Sequence, residues 1–229
     1  MLQANEGKQP TIEVEGATWL RLPIKTHTVT SSDDLTDVVE RYAVPHLAPG
    51  DLLFMSERMV AITQGRAYPI SAIKASRLAR FLVRFVYKSP YGIGLGSDWT
   101  MELAIREVGR ARILLAALVS ALTKPFGVRG MFYRVAGRKV AAIDGPTEHT
   151  LPPYNRYATL APDKPDEVAR GLGARVGCGV VIIDANDLGV EVLGRSDRSI
   201  EIGFARAVFR DNPLGQSSQS TPLCIVRRA

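Results

Sequence analysis

The sequence predicts an α+β fold of mixed, largely antiparallel sheets with packed helices. Strand-like apolar runs outnumber amphipathic helical ones along the 229 residues, and the two kinds do not alternate as a doubly wound sheet requires. The most apolar run, Val180, Val181, Ile182 and Ile183, has no polar break, as expected of a strand covered on both faces. A chain of this length buries a substantial core in one domain or two closely joined subdomains. A hydrophobic content of 46% excludes disordered and fibrous classes, and no internal repeat or low-complexity segment is present.

Residues 1–10 read as a loose polar tail, which leaves 11–229 as the folded part. A short strand at 20–25 comes first. Leu35, Val38, Val39 and Tyr42 then share one helical face, with Ser32 or Asp33 placed to cap the exposed amides. Ala48, Pro49, Gly50 and Asp51 turn the chain into a buried strand at 52–55. Residues 56–66 continue through Val60 and Ile62 to a turn at Gln64 and Gly65. A helix at 76–86 carries Leu78, Phe81, Leu82 and Phe85 as its apolar stripe. Two more helices follow at 100–108 and 111–122. The second is apolar nearly all round, which assigns it to the core, a dimer interface or a membrane surface. Residues 130–135 and 139–143 suggest a hairpin turning at Ala136, Gly137 and Arg138 and ending in the carboxylate of Asp144. A loop at 146–157, a helix at 163–175, partial alternation at 200–209 and a closing strand at 222–226 complete the chain.

The net charge of +6 favours anionic ligands. Lys and Arg are scattered rather than clustered and only 7% of residues are aromatic. A small polyanion such as a nucleotide is therefore expected rather than nucleic acid. The glycines at 92, 94 and 96 lack the spacing of a dinucleotide fingerprint and read as a connector. Cys178 and Cys224 lie in apolar runs without metal-thiolate spacing, as buried thiols of a reducing compartment do. The polar start lacks an apolar leader, and the run 113–122 is roughly half a bilayer span, so a cytoplasmic protein without a transmembrane segment is expected. His27, His46 and His149 are dispersed in loops, and no Ser-His-Asp or Cys-His constellation presents itself.

Chemistry is signalled instead by oxygen. Asp184, Asn186 and Asp187 follow the most apolar strand at once, and Gly189 closes the segment. Such residues make a turn, because Asp and Asn bond their own backbone and Gly supplies positive φ. They also make a divalent-cation site, since Mg²⁺ and Mn²⁺ favour carboxylate and carbonyl oxygen beside phosphates. Asp144 at one strand end and the polar cluster at 215–219 are of the same kind.

The order of these clusters resembles the coenzyme F420-0 γ-glutamyl ligase family over about residues 22–227. Asp33, Asp34 and Leu35, then Pro49, Gly50, Asp51, Leu52 and Leu53, then Ser56 to Val60 and Gln64, Gly65 and Arg66 look like its opening signature. Leu160, Ala161, Pro162, Asp163, Lys164 and Pro165, followed by Val181, Ile182 and Ile183 and the acidic residues before Gly189, look like its central one. Gly215 and Gln216, then Pro222 and an apolar strand ending in Arg227, look like its closing one. The resemblance implies an F420 ligase-like fold, a homodimer burying part of the 113–119 helix, GTP as co-substrate and two Mg²⁺ or Mn²⁺ ions. It implies metal ligands at Asp144, among Asp184, Asn186 and Asp187, and at Gln216. The activity implied is γ-glutamyl amide ligation, in which a carboxylate activated as acyl phosphate is coupled to L-glutamate. The acceptor is F420-0 or another anionic carboxylate. Arg21, Lys25 and Arg58 are candidates for holding phosphate, and no catalytic side chain is assigned.

The chain departs from the family where substrate is expected. Val190, Glu191, Val192 and Leu193 replace an Arg-Pro pair and a further basic residue, and Asp144 is followed by Gly145, Pro146 and Thr147 in place of an Asp-x-Ser-Asn pattern. Arg58 stands for a lysine. Glu191 brings negative charge where an anionic acceptor would bind, unless a metal or Arg195 intervenes. Two alternatives follow: a nucleotide- and metal-binding relative without catalysis, and a metal-dependent enzyme acting on another phosphorylated metabolite.

Overall fold

The chain divides into two units, Met1–Gly65 with Pro162–Ala229, and Arg66–Ala161, each holding a hydrophobic cluster among the described residues. The computed structural model describes residues 2–86, 94–128, 130–146, 150–186, 189–215 and 219–229. In chain order the elements are β1 Thr11–Val14, β2 Ala17–Ile24, α1 Leu35–Tyr42, β3 Leu52–Ser56, α2 Glu57–Thr63, β4 Ala67–Pro69, α3 Arg77–Val83, α4 Asp98–Val108 and α5 Arg110–Thr123. They continue with α6 Met131–Ala136, α7 Arg138–Ala141, β5 Tyr157–Thr159, α8 Pro165–Val176, β6 Gly179–Asn186, β7 Gly189–Arg195, α9 Ile202–Val208 and β8 Leu223–Arg228. The fold class is α+β, as read from the sequence. Among the described residues, however, nine α-helices outnumber eight strands, the reverse of the expected balance.

The first unit is built on a six-stranded sheet in the order β1-β2-β8-β3-β6-β7. Every neighbouring pair is antiparallel except β3–β6. Val180, Val181, Ile182 and Ile183 are fully buried, as a doubly covered strand should be. On one face Phe54, Val181, Ile183, Cys224 and Val226 pack against Val208 and Phe209, and the Phe54 and Phe209 rings stack at 4.4 Å. Residues 200–209, read as partly alternating, are instead the α9 turn: Ala205, Val208 and Phe209 are buried at helical spacing. Glu57–Thr63 is likewise helical, with Met59, Val60, Ala61 and Ile62 buried. The cap of α1 is Asp34, not Ser32 or Asp33; its carboxylate accepts from the amides of Thr36 at 2.7 Å and Asp37 at 3.2 Å. Asp33 is occupied one turn earlier by the Thr30 amide and hydroxyl.

A bulge between Ile182 and Ile183 in the β6–β7 register brings Gly194 of β7 against the start of α8. A Cβ there would lie 2.4 Å from the carbonyl carbon of Pro165, 2.6 Å from its oxygen and 2.7 Å from the Asp166 nitrogen. All three atoms are backbone and none can swing aside. Gly194→Ala is therefore expected to destabilise by about 2–3 kcal/mol. Gly203 of α9 has open space around its missing Cβ, so Gly203→Ala should stabilise by about 0.5–1 kcal/mol through helix propensity. Urea denaturation of the two variants checks both signs; equal effects would show that the close approach at Gly194 is not limiting.

The second unit is largely helical, with β4 and β5 pairing as a small antiparallel ribbon. Its core joins Met101, Leu103, Ala104 and Ile105 of α4 to Ile113 and Ala116 of α5 and to Ala136, Val140 and Ile143. The hairpin expected at 130–143 is thereby corrected to two short helices. Phe132, Ala136, Val140 and Ile143 recur every three or four residues, a helical rather than a strand period. Gly130 and Gly137 start the two helices at φ 77° and 99°, values open to glycine. In α5 only Ile113 and Ala116 are buried. Among the described residues, no helix is long and apolar enough to cross a membrane.

Candidate functional site

The β6–β7 hairpin carries the oxygen-rich cluster, and it does so within the strand. β6 does not end at Ile183 but runs to Asn186, paired with β7 from Gly189 onward. Polar side chains do not stop a strand whose backbone ladder continues. Val181, Ile183 and Ala185, with Val190 and Val192 across the ladder, face the apolar cluster. The two-residue period therefore places Asp184 and Asn186 together on the opposite face. The amide of Asn186 donates to both carboxylate oxygens of Asp184, at 3.3 and 3.4 Å. Directly opposite Asp184 on the partner strand stands Glu191.

Glu191 joins the candidate set through this register. From the sequence Glu191 reads only as a repelling charge, yet strands ending at 186 and beginning at 189 set 184 opposite 191. Two carboxylates so paired repel unless a cation or a proton is shared between them. Aspartate, glutamate and an amide oxygen are hard donors and suit Mg²⁺ or Mn²⁺. Val190 and Val192, by contrast, are partly buried and pack against the apolar cluster. Arg195 is not a counter-charge for this cluster: its guanidinium donates to the carbonyls of Arg198 at 3.1 Å and Ile200 at 2.7 Å, before α9.

The other candidates are dispersed. Asp187 and Gln216 lie outside the described residues, as do His149 and Thr147 and the glycine-rich segment up to residue 93. Asp144 belongs to the second unit and is exposed. It does not end a strand; its backbone makes an isolated bridge to Thr159, with N–H···O distances of 2.9 and 2.8 Å. Among the described residues no group of three His, Cys, Asp or Glu is arranged to hold a metal. Lys25 is exposed just after β2, and Arg58 is half-buried on the first turn of α2.

Arg21 requires correction. It is 1% exposed, and its terminal nitrogens donate to the Val208 carbonyl, the Gln9 carbonyl and both oxygens of Asp211. Neither phosphate nor water reaches it. An arginine on a strand whose neighbours are apolar reads equally as a ligand holder or as a structural cation, and here the second holds.

Several motif residues prove to hold one another. Asp51 accepts both Arg227 Nε at 2.8 Å and Nη2 at 2.7 Å, joining the opening and closing signatures. In the first unit the Gln64 amide makes reciprocal bonds to the Asp163 backbone, 2.9 Å to its carbonyl and 2.7 Å from its N–H. In the second, Arg66 donates to the Ala161 carbonyl at 2.6 Å and to Glu107 at 2.9 Å. His27 lies between Asp33 and Tyr42 at 3.0 Å from each, at the turn before α1. Hydrogen bonds from Thr30, then from His27, keep the Asp33 carboxyl below the usual range. The thiols are unreactive in kind: burial pushes Cys224 up to about 12 and also raises half-buried Cys178. Compared with known proteins, the chain matches no family model and no curated sequence, so the family resemblance stands on its motifs alone.

Proposed function

We propose that the protein is a GTP- and divalent-metal-dependent amide ligase that activates a carboxylate as its acyl phosphate and couples it to L-glutamate. The observation supporting this reading is the face shared by Asp184 and Asn186 opposite Glu191 on the β6–β7 hairpin. In the reading, Asp184 and Glu191 hold Mg²⁺ or Mn²⁺; the motif correspondence separately names Asp144, Asp187 and Gln216 as candidate ligands. When bound, such ions neutralise phosphate charge during phosphoryl transfer. No protein nucleophile is then required, in keeping with dispersed histidines and thiols held protonated by burial. The chain's own contribution is to position the carboxylate acceptor against the nucleotide and to keep the amine in line. The acceptor is F420-0 or a related anionic acid, the assembly a homodimer, and the location the cytoplasm. Because Glu191 faces Asp184 rather than offering a cation, metal-dependent GTP binding is expected to be retained and affinity for the deazaflavin precursor to be weaker than in typical members of the family.

Phosphate release with Mn²⁺ or Mg²⁺, GTP and candidate acid–amine pairs tests the proposal. Turnover should require both acid and amine, and Asp184→Ala should reduce it by at least about 100-fold, beyond the loss typical of outer-shell changes. Calorimetric titration of Mn²⁺ should show binding lost in Asp184→Ala and in an Asp144→Ala, Asp187→Ala double variant. Nucleotide binding without phosphate release under any pair would identify a non-catalytic relative. Unchanged Mn²⁺ titration of both variants would remove the metal site altogether.

A further inference from the structure

Charge and exposed apolar surface are segregated together in the second unit. Residues 66–161 hold fifteen Lys and Arg against five Asp and Glu, a formal +10, while the remaining residues hold 14 against 18, a formal −4. The basic residues are scattered, as the sequence suggests; the acids are what is missing. Residues 108–143 contain seven Lys and Arg and no Asp or Glu at all. Within this run, α5 buries only Ile113 and Ala116 and turns Leu114, Leu115, Leu118 and Leu122 outward. Their exposure rises from 48% at Leu114 to 61% at Leu122, and Phe126 just beyond is 84% exposed. Helical spacing aligns these side chains in one stripe about 18 Å long. Phe81 on α3, and Phe85 just beyond its end, are also more than half exposed.

We infer that this face docks onto the surface of an anionic phospholipid bilayer, with α5 lying in the interfacial plane. Leucine and phenylalanine beside Arg and Lys are the pairing that an acyl–headgroup boundary accepts, apolar side chains inward and cations at the phosphates. A second copy of the chain fits the stripe less well, because it would set one unit of +10 against another. A dimer covering α5, as expected from the sequence, is the competing occupant that the vesicle experiment distinguishes. Nucleic acid offers phosphates but no hydrocarbon for the leucines, and its interfaces are polar and wet. Arg110 at the start of α5 and Lys124 at its end are exposed and flank the stripe.

The full chain is tested by flotation with vesicles of phosphatidylcholine alone and of phosphatidylcholine containing phosphatidylglycerol. Binding is expected to the anionic vesicles and to weaken as salt is raised. Leu115→Gln, Leu118→Gln and Leu122→Gln together should weaken it about 100-fold, since three partly exposed leucines lose their hydrocarbon contact. Arg110→Gln with Lys124→Gln should weaken it on the order of tenfold. Circular dichroism melts checks that these outward-facing changes leave the fold intact. Equal binding to neutral and anionic vesicles, or none to either, overturns the inference. So does a lipid-free dimer that the triple leucine variant turns into a monomer, which would give the stripe to a second copy. Neither readout depends on ligase turnover.

Discussion

Arg21→Met is expected to destabilise the protein by about 3 kcal/mol, the lower end of the range for removing one partner of a buried ion pair. The side chain is inside the first unit, and its four bonds to Asp211, Val208 and Gln9 tie β2 to α9 and to the segment before β1. Methionine fills much of the volume but leaves the Val208 and Gln9 carbonyls without their donor. The figure stays at the low end because Asp211 is 39% exposed and rehydrates once its partner is gone. Arg21→Lys keeps the charge but not the fork, and should recover about half the loss. Asp211→Asn should cost less than Arg21→Met, because the two carbonyl bonds survive. Urea denaturation of the singles and the double gives the coupling. A loss under about 1 kcal/mol for Arg21→Met would return Arg21 to the list of residues free to bind phosphate.

The strand at 180–183 and the helices read at 100–108 and 111–122 were legible because each rests on local period. Where the reading failed, alternation was inferred from too few residues. In 130–143 and 200–209 the helical spacing shows only over the whole segment, where the apolar residues pack against the neighbouring elements. The end of β6 was misplaced for a different reason: Asp184 and Asn186 look like turn residues, but a ladder to β7 overrides local preference. The candidate site was therefore half legible. Its oxygen donors stand out by composition, whereas the pairing of Asp184 with Glu191 depends on register and the burial of Arg21 on tertiary structure. Charge balance was read over the whole chain, which averages +10 and −4 into an unremarkable +6.

The contact between the opening and closing motifs should give the protein a defined acid sensitivity. Asp51 follows the turn at Ala48, Pro49 and Gly50, and its side chain is fully buried. Burial pushes its pKa up, but the bidentate hydrogen bonds and charge of Arg227 and the Ala48 amide at 2.7 Å outweigh it, so the carboxyl titrates below its usual value. A folded-state pKa below the unfolded one means that the stabilisation is complete above the ordinary aspartate value of about 3.9. It drains away as the pH falls from there through the lower folded value. Asp51→Asn keeps the shape, but an amide cannot accept all three bonds, and its NH₂ meets the donors of Arg227. At neutral pH the variant should be less stable by about 2–3 kcal/mol, discounted because Arg227 is one-third exposed and regains water. Other carboxylates held low, Asp211 and Glu102 among them, weaken both proteins alike in acid, so the difference between wild type and variant isolates Asp51. That difference should shrink steadily below pH about 4 as wild-type Asp51 takes up its proton. A gap that stays constant from neutral pH into that range would mean that Asp51 acts through shape alone, and that the Arg227 pair contributes nothing electrostatic to joining β8 to the turn before β3.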